Sequence, residues 1–198
     1  MTAYPHAMPA VPARPDDLTA KARIRNAALA LFAGGGYDGT TMRAVATAAG
    51  VTVGLVVHHY GTKERLRDAV EDLIVAAFTE ATASVKIVGS GRDIGAARDR
   101  NVAQMLASNT AMVDYLRRTI LDPNDRGVLL NRLADLAAAN LQELRAAGLT
   151  ASRRSTAEQV AAVLTAQIGQ LFLQPMVDRT VTHFGESDPP RIVVRLER

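Results

Sequence analysis

An all-α fold is predicted by two features of composition and one of pattern. Of the 198 residues 48% are apolar, yet only 4% are aromatic. Alanine and leucine supply the apolar count, and both favour helix over strand. Apolar residues also recur at three- and four-residue spacing along most of the chain, the period of a helix with one buried face.

Composition narrows the function classes. A formal net charge of +3 permits nucleic-acid binding without arguing for it, so a DNA-binding face has to be a local patch. There is no cysteine, which excludes disulfides and thiolate metal sites and fits a reducing cytoplasm. Leu73 to Phe78 is the longest unbroken apolar run in the middle of the chain. It falls far short of the roughly 20 residues of a membrane span. The N-terminus lacks the basic start and apolar core of a signal peptide. A cytoplasmic protein without a membrane segment is expected.

The elements follow in order. Residues 1–17 hold Pro5, Pro9, Pro12 and Pro15, a spacing that defeats helix and sheet and predicts a mobile arm. Its basic side chain, Arg14, allows a minor-groove role. A first helix is expected over about 18–33. Ile24, Ala28, Leu31 and Phe32 form its apolar stripe, Lys21, Arg23 and Arg25 lie elsewhere, and Gly34, Gly35 and Gly36 stop it. Thr40 or Thr41 caps a second helix, from which Arg43 points outward.

Residues 41–60 organise the chain. Met42, Val45, Ala46 and Ala49 keep helical spacing; Gly50 then ends the helix, because glycine takes a left-handed conformation without steric cost. Val51 is read as a buried plug, and Thr52 as the N-cap of a helix carrying Val53 to His59. This is the spacing of a helix-turn-helix, whose second helix lies in the major groove of DNA. An ordinary helical hairpin has the same apolar spacing.

The flanks separate the two. Ala27, Ala28, Leu31, Phe32, Gly36, Thr40 and Thr41 precede the turn. Ala46, Ala49, Gly50, Val51, Thr52 and Gly54 make it. His59, Tyr60, Lys63, Glu64 and Leu66 follow. Over roughly residues 18–78 this pattern resembles the DNA-binding domain of the TetR family of bacterial repressors. The resemblance implies a three-helix helix-turn-helix domain over 18–78 and a helical effector-binding and dimerisation domain over 79–198. It also implies that Lys63 contacts a DNA phosphate beside the N–H groups of its own helix. The DNA-facing set is then Thr40, Thr41, Arg43, Thr52, Val53, Gly54, Val57, His58, His59, Tyr60 and Lys63. Where the family most often has leucine and tyrosine, this chain has Val56 and Val57. Val56 still plugs the core; Val57 cannot bond a phosphate but can meet a thymine methyl. For Tyr60 core packing is favoured. His58 and His59 point about 100° apart on a helix and cannot chelate one metal together.

Thr62 caps the fourth helix, whose stripe of Leu66, Val70, Leu73, Ile74, Ala77 and Phe78 makes it the lever between domains. Residues 88–95 read as a break. The apolar pattern resumes from Ala96 through Val102, Met105, Leu106, Met112, Val113, Leu116 and Ile120. A turn at 122–125 precedes a helix over about 126–147, ended by Gly148. Thr150, Ser152, Ser155 and Thr156 are candidate caps for the next. That last long helix carries Val160, Val163, Leu164, Ile168, Leu171 and Phe172; Pro175 kinks or breaks it, and the pattern resumes to His183. Residues 185–190 form a linker, and 191–198 alternate loosely like a strand or open a helix. The resemblance makes 191–198 the start of the family's last helix. It places a homodimer interface on the helix around 156–183 with the C-terminal segment.

No catalytic set is found: no cysteine nucleophile, no HxxxH or HExxH, no Gly-x-Ser-x-Gly. Glu71/Asp72 and Asp99, between Arg98 and Arg100, read as solvated faces. Asp114, Tyr115, Arg117 and Arg118 read as surface or pocket rim. A non-enzyme without cofactor or metal is expected. The leading expectation is a homodimer on a pseudo-palindromic double-stranded DNA operator, released by a small, mostly apolar effector. Phe78, Met105, Met112, Tyr115, Leu116, Leu164, Ile168, Phe172 and Met176 are the candidate ligand lining. The alternatives are a DNA-binding regulator with no ligand and a helical interaction module that does not bind DNA.

Overall fold

The structure, a computed structural model, describes residues 20–123, 125, 127–150 and 154–196. The proline-rich arm, Leu18, Ser152 and the last two residues lie outside this range. The described residues form eight helices and no strand: α1 (Ala20–Gly35), α2 (Met42–Ala49), α3 (Val53–Tyr60), α4 (Lys63–Ala83), α5 (Gly91–Ala107), α6 (Thr110–Leu121), α7 (Val128–Ala146) and α8 (Thr156–His183). They group into two compact units. One holds the described residues up to Phe78 with Gln104–Gly127. The other holds Thr79–Ala103 and the described residues from Val128 onward.

In the first unit α1 packs on α2, α3 and α6, and α2 packs on α3. Ile24, Leu29 and Phe32 from α1, Val45 from α2, Val56 from α3, Leu66 and Ile74 from α4, and Met112 and Leu116 from α6 are all essentially inaccessible. Each such side chain stabilises the fold by about 1.5–3 kcal/mol. Leu29, not Leu31, is the buried leucine of α1. The guanidinium of Arg118 on α6 donates to the carbonyls of Ala33 (3.2 Å) and Gly34 (3.0 Å), two acceptors at the end of α1 with no later helical N–H. Arg118 is therefore a cap for α1, not a pocket rim.

Glu71 corrects the reading of a solvated acidic face. Its side chain is 1% exposed. It accepts from Arg67 Nε and from the Tyr115 hydroxyl, both at 3.1 Å, and Arg67 also reaches Asp125 at 3.3 Å. Burial drives the Glu71 carboxyl above its ordinary pKa, against the opposing pull of Arg67 and the Tyr115 bond. Burial and the neighbouring carboxylate hold the Tyr115 phenol far above its own.

In the second unit α7 packs on α8. Ile94 and Val102 of α5, Leu129, Leu133 and Leu144 of α7, and Val160 of α8 are buried. Arg98 is also buried and pairs with Glu143 and the Asn140 carbonyl. Asp99 is exposed and accepts from Gln167 at 2.8 Å. Where one apolar run was expected from Ala96, the helix starts earlier, at Gly91. Ser90 Oγ caps it by accepting from Asp93 N–H at 3.2 Å. The run is divided at Asn109, a buried residue whose amide donates back to the Met105 carbonyl at 2.7 Å.

Three features of the C-terminal part differ from expectation. The helix α8 runs through Pro175 without ending. Beside the proline the side chain of Gln174 donates to Asp178 and to the Pro190 carbonyl, and accepts from Ile192 N–H. Second, residues 186–196 form neither strand nor helix. They are held along α8 instead, so close that a Cβ on Gly169 would stand 2.7 Å from Val194 Cγ2. Third, α8 alone among the described helices is long and apolar enough to cross a membrane by length and composition. Glutamines and threonines interrupt its apolar residues, so counting unbroken runs passed over it.

Candidate nucleic-acid interface

The turn between α2 and α3 is built by three local devices. Thr41 is extended and its hydroxyl accepts from Ala44 N–H at 3.1 Å, capping α2. Gly50 sits at φ 65°, and the next N–H, of Val51, returns to the Ala46 carbonyl at 3.0 Å. Thr52 is extended again and its hydroxyl accepts from Leu55 N–H at 3.3 Å, starting α3. Val51 is only half-buried; Val56, fully buried, is the plug that holds α3 on the body.

This arrangement divides the eleven sequence-predicted DNA-facing residues. Thr41, Arg43, Thr52, Val53, Gly54, Val57 and His58 are exposed around the turn and along one side of α3. His59 is half-buried, its ring 5.4 Å from that of His58. Two residues are corrected. Thr40 is buried and its hydroxyl donates to the Gly36 carbonyl at 2.8 Å, so it closes the α1–α2 loop instead of facing out. Tyr60 is buried and its hydroxyl donates to the Lys21 carbonyl at 2.8 Å, tying the end of α3 to the start of α1. Burial raises the Tyr60 pKa.

Lys63 is half-buried at the first position of α4, which Thr62 caps through Arg65 N–H at 3.3 Å. The ammonium donates to the Asp38 carbonyl at 3.3 Å and stands 4.3 Å from the centre of the Tyr37 ring. Arg67 lies 5.1 Å from the same ring. The Tyr37 hydroxyl donates to Glu64 at 3.1 Å. Burial and the Glu64 carboxylate raise the Tyr37 pKa, while a backbone N–H bond and the Thr62 hydroxyl, with Tyr37, lower that of Glu64. Tyr37 thus fixes the α1–α2 loop against the base of α4 and holds Lys63 in place. Sequence reasoning missed it; the available signal was an aromatic residue between Gly36 and Asp38, inside an otherwise polar loop.

The candidate ligand lining is distributed over both units. Phe78, Met112, Tyr115 and Leu116 are buried in the first, and Met105 is half-buried there. In the second, Leu164, Ile168 and Phe172 are half-buried and Met176 is 60% exposed. The Tyr115 hydroxyl is committed to Glu71.

An all-helical protein with a capped helix–glycine–helix turn and an exposed second helix is a helix-turn-helix protein. The family model for bacterial regulatory proteins of the tetR family matches residues 24–70, the segment just described. RaaS, an HTH-type transcriptional regulatory protein of Mycobacterium tuberculosis, is 46% identical over 71 residues, 36% of this chain and 33% of its own length. The chain therefore spans about a third of that relative. An HTH-type transcriptional repressor of the same organism, Rv1474c, is 28% identical over 189 residues, 92% of each chain. The solved TetR-family regulator PfmR from Thermus thermophilus superimposes with a TM-score of 0.57 at 23% identity, covering 75% of this chain and 84% of that one. The chain is thus similar, over residues 24–70 in particular, to the TetR family of bacterial regulatory proteins.

Proposed function

We propose that the protein is a homodimeric, operator-binding transcriptional repressor acting in the cytoplasm, released from DNA by a small, mostly apolar molecule. The observation that carries the reading is the exposed side of α3 beside the capped start of α4. The helix enters the major groove, while Lys63, Arg43 and the helix N–H groups meet phosphates and set its register. Eight residues touch too few bases for selectivity. A two-fold dimer places two such helices about 34–36 Å apart, and so reads a pseudo-palindrome.

The proposed interface is α8. Of its residues only Val160 is buried, although half of the helix is apolar. A second copy covers that surface without calling for a bilayer. For the effector, the second unit offers Leu164, Ile168 and Phe172 of α8, and their half-buried state supports a lining that is not fully packed. A ligand that favours the wider or narrower spacing of the two α3 helices by about 1–3 kcal/mol weakens operator binding about five- to 150-fold.

Gel shift against the DNA upstream of its own gene tests the reading, with sedimentation for the dimer. Lys63→Ala is expected to weaken binding and lower its salt dependence by about one counterion. Thr52→Ala is expected to weaken it less. Equal binding by wild type and both variants sinks the site. Thermal shift against lipophilic compounds tests the effector separately.

A further inference from the structure

We propose that α3 selects its operator through the 5-methyl groups of thymine, with no bidentate hydrogen bond to a base edge. The inference rests on the reading of α3 as a recognition helix and deepens it. Val53 and Val57 are 39% and 48% exposed, while Val45, Val56 and Val70 of the same unit are buried. Four residues apart, the two exposed valines share one face of α3. No residue of α3 is Arg, Lys, Asn, Gln, Asp or Glu. Those are the side chains that grip guanine or adenine edges with paired hydrogen bonds or accept from cytosine in the major groove, whereas His58 and Thr52 offer single bonds and the thymine methyl is read by apolar contact.

Gly54 supplies an independent observation on the same face. A Cβ there would meet only Thr52 Oγ1, at 3.9 Å, so the chain's own packing does not call for glycine. Glycine weakens a helix, so its presence points to a requirement outside the chain. A bare backbone between two valines allows α3 to sit close against base edges. Arg43 on α2 and Arg65 on α4 are both exposed, and with Lys63 they supply positive charge on the helices before and after α3. They draw the helix to the phosphates without sequence preference and leave discrimination to the valines.

Geometry fixes the register. α3 is about 12 Å long and the two valines are about 6 Å apart along its axis. Base pairs rise about 3.4 Å. Each operator half-site therefore holds two thymines within three successive base pairs.

The test uses the full chain and a duplex recovered from a random pool. Each thymine is replaced in turn by uracil, which keeps the pairing and removes only the methyl. Two thymines per half-site are expected to lose about fourfold in affinity per methyl removed. Val57→Ala is expected to erase the loss at one of them and leave the other. Because Val57 is on the surface, the variant folds, and circular dichroism checks this. Gly54→Ala is expected to raise the melting temperature while weakening binding to the same duplex. Duplexes bound with no response to any uracil overturn the methyl inference and leave the operator-binding reading standing. Failure to recover any duplex overturns both.

Discussion

The helix-turn-helix unit and α8 are built from the same aliphatic side chains and finish differently. In the first unit the valines, leucines and isoleucines of five helices close on one another, and Ile24, Leu29, Leu66, Ile74 and Leu116 lose nearly all contact with solvent. In α8 the apolar residues run around the helix, and 28 residues bury one. A helix apolar on every side has no stable place at a monomer's surface. The contrast teaches that burial is completed among the helices of the first unit, whereas most of α8 stays half-buried within its own chain.

The largest expected effect breaks that contrast at α8. Ile168→Asp places an unpaired carboxylate in the proposed interface, which costs several kcal/mol. Sedimentation is expected to show a monomer, and operator affinity to fall by more than about 100-fold, with the first unit still folded. Phe32→Ala is the reciprocal change. It removes a ring packed between helices and against Tyr37, 5.4 Å away, and is expected to cost about 3–5 kcal/mol in a urea melt. Dimerisation through α8 is expected to survive in the fraction that remains folded.

A smaller effect concerns the buried carboxylate that the first unit tolerates and α8 does not contain. The Glu71 pKa is raised above the ordinary 4.5. Between that value and the raised one the folded state binds more protons than the unfolded state, so stability falls as pH rises through this window. Glu71→Gln is expected to flatten that slope, by about 1.4 kcal/mol for each unit of the shift. Melts at several pH values check it, with Arg67, Asp125 and Tyr115 left in place. The smallest effect sharpens the comparison at the edge of the reading helix. Thr52→Ala loses one cap and is expected to cost about 1 kcal/mol in thermal melts, and Thr52→Ser to restore it.

Local chemistry made the centre of the candidate site legible in the sequence. Gly50 and Thr52 act on residues within four positions, so their roles follow from neighbours alone. The caps at Thr41 and Thr62, the outward Arg43 and the buried Val56 are equally local. The expectations that failed depend on distant partners. Glu71 reads as solvent-facing until Tyr115, 44 residues on, comes over it. Thr40 is the local exception: its hydroxyl turns back to the Gly36 carbonyl, four residues earlier. The C-terminal segment finds its place because Pro190 and Ile192 return to bond Gln174, 16 and 18 residues earlier. Tyr37 gains its role only once Lys63, Glu64 and Arg67 gather round it.

The sequence by itself determined the helical class, the place of the turn and the family pattern around it, because helix period, glycine stops and threonine caps act over one or two turns of chain. Only the tertiary structure decided which polar groups are buried and how the C-terminal segment lies on α8. Those outcomes depend on surfaces that meet across tens of residues, and no local propensity carries that information.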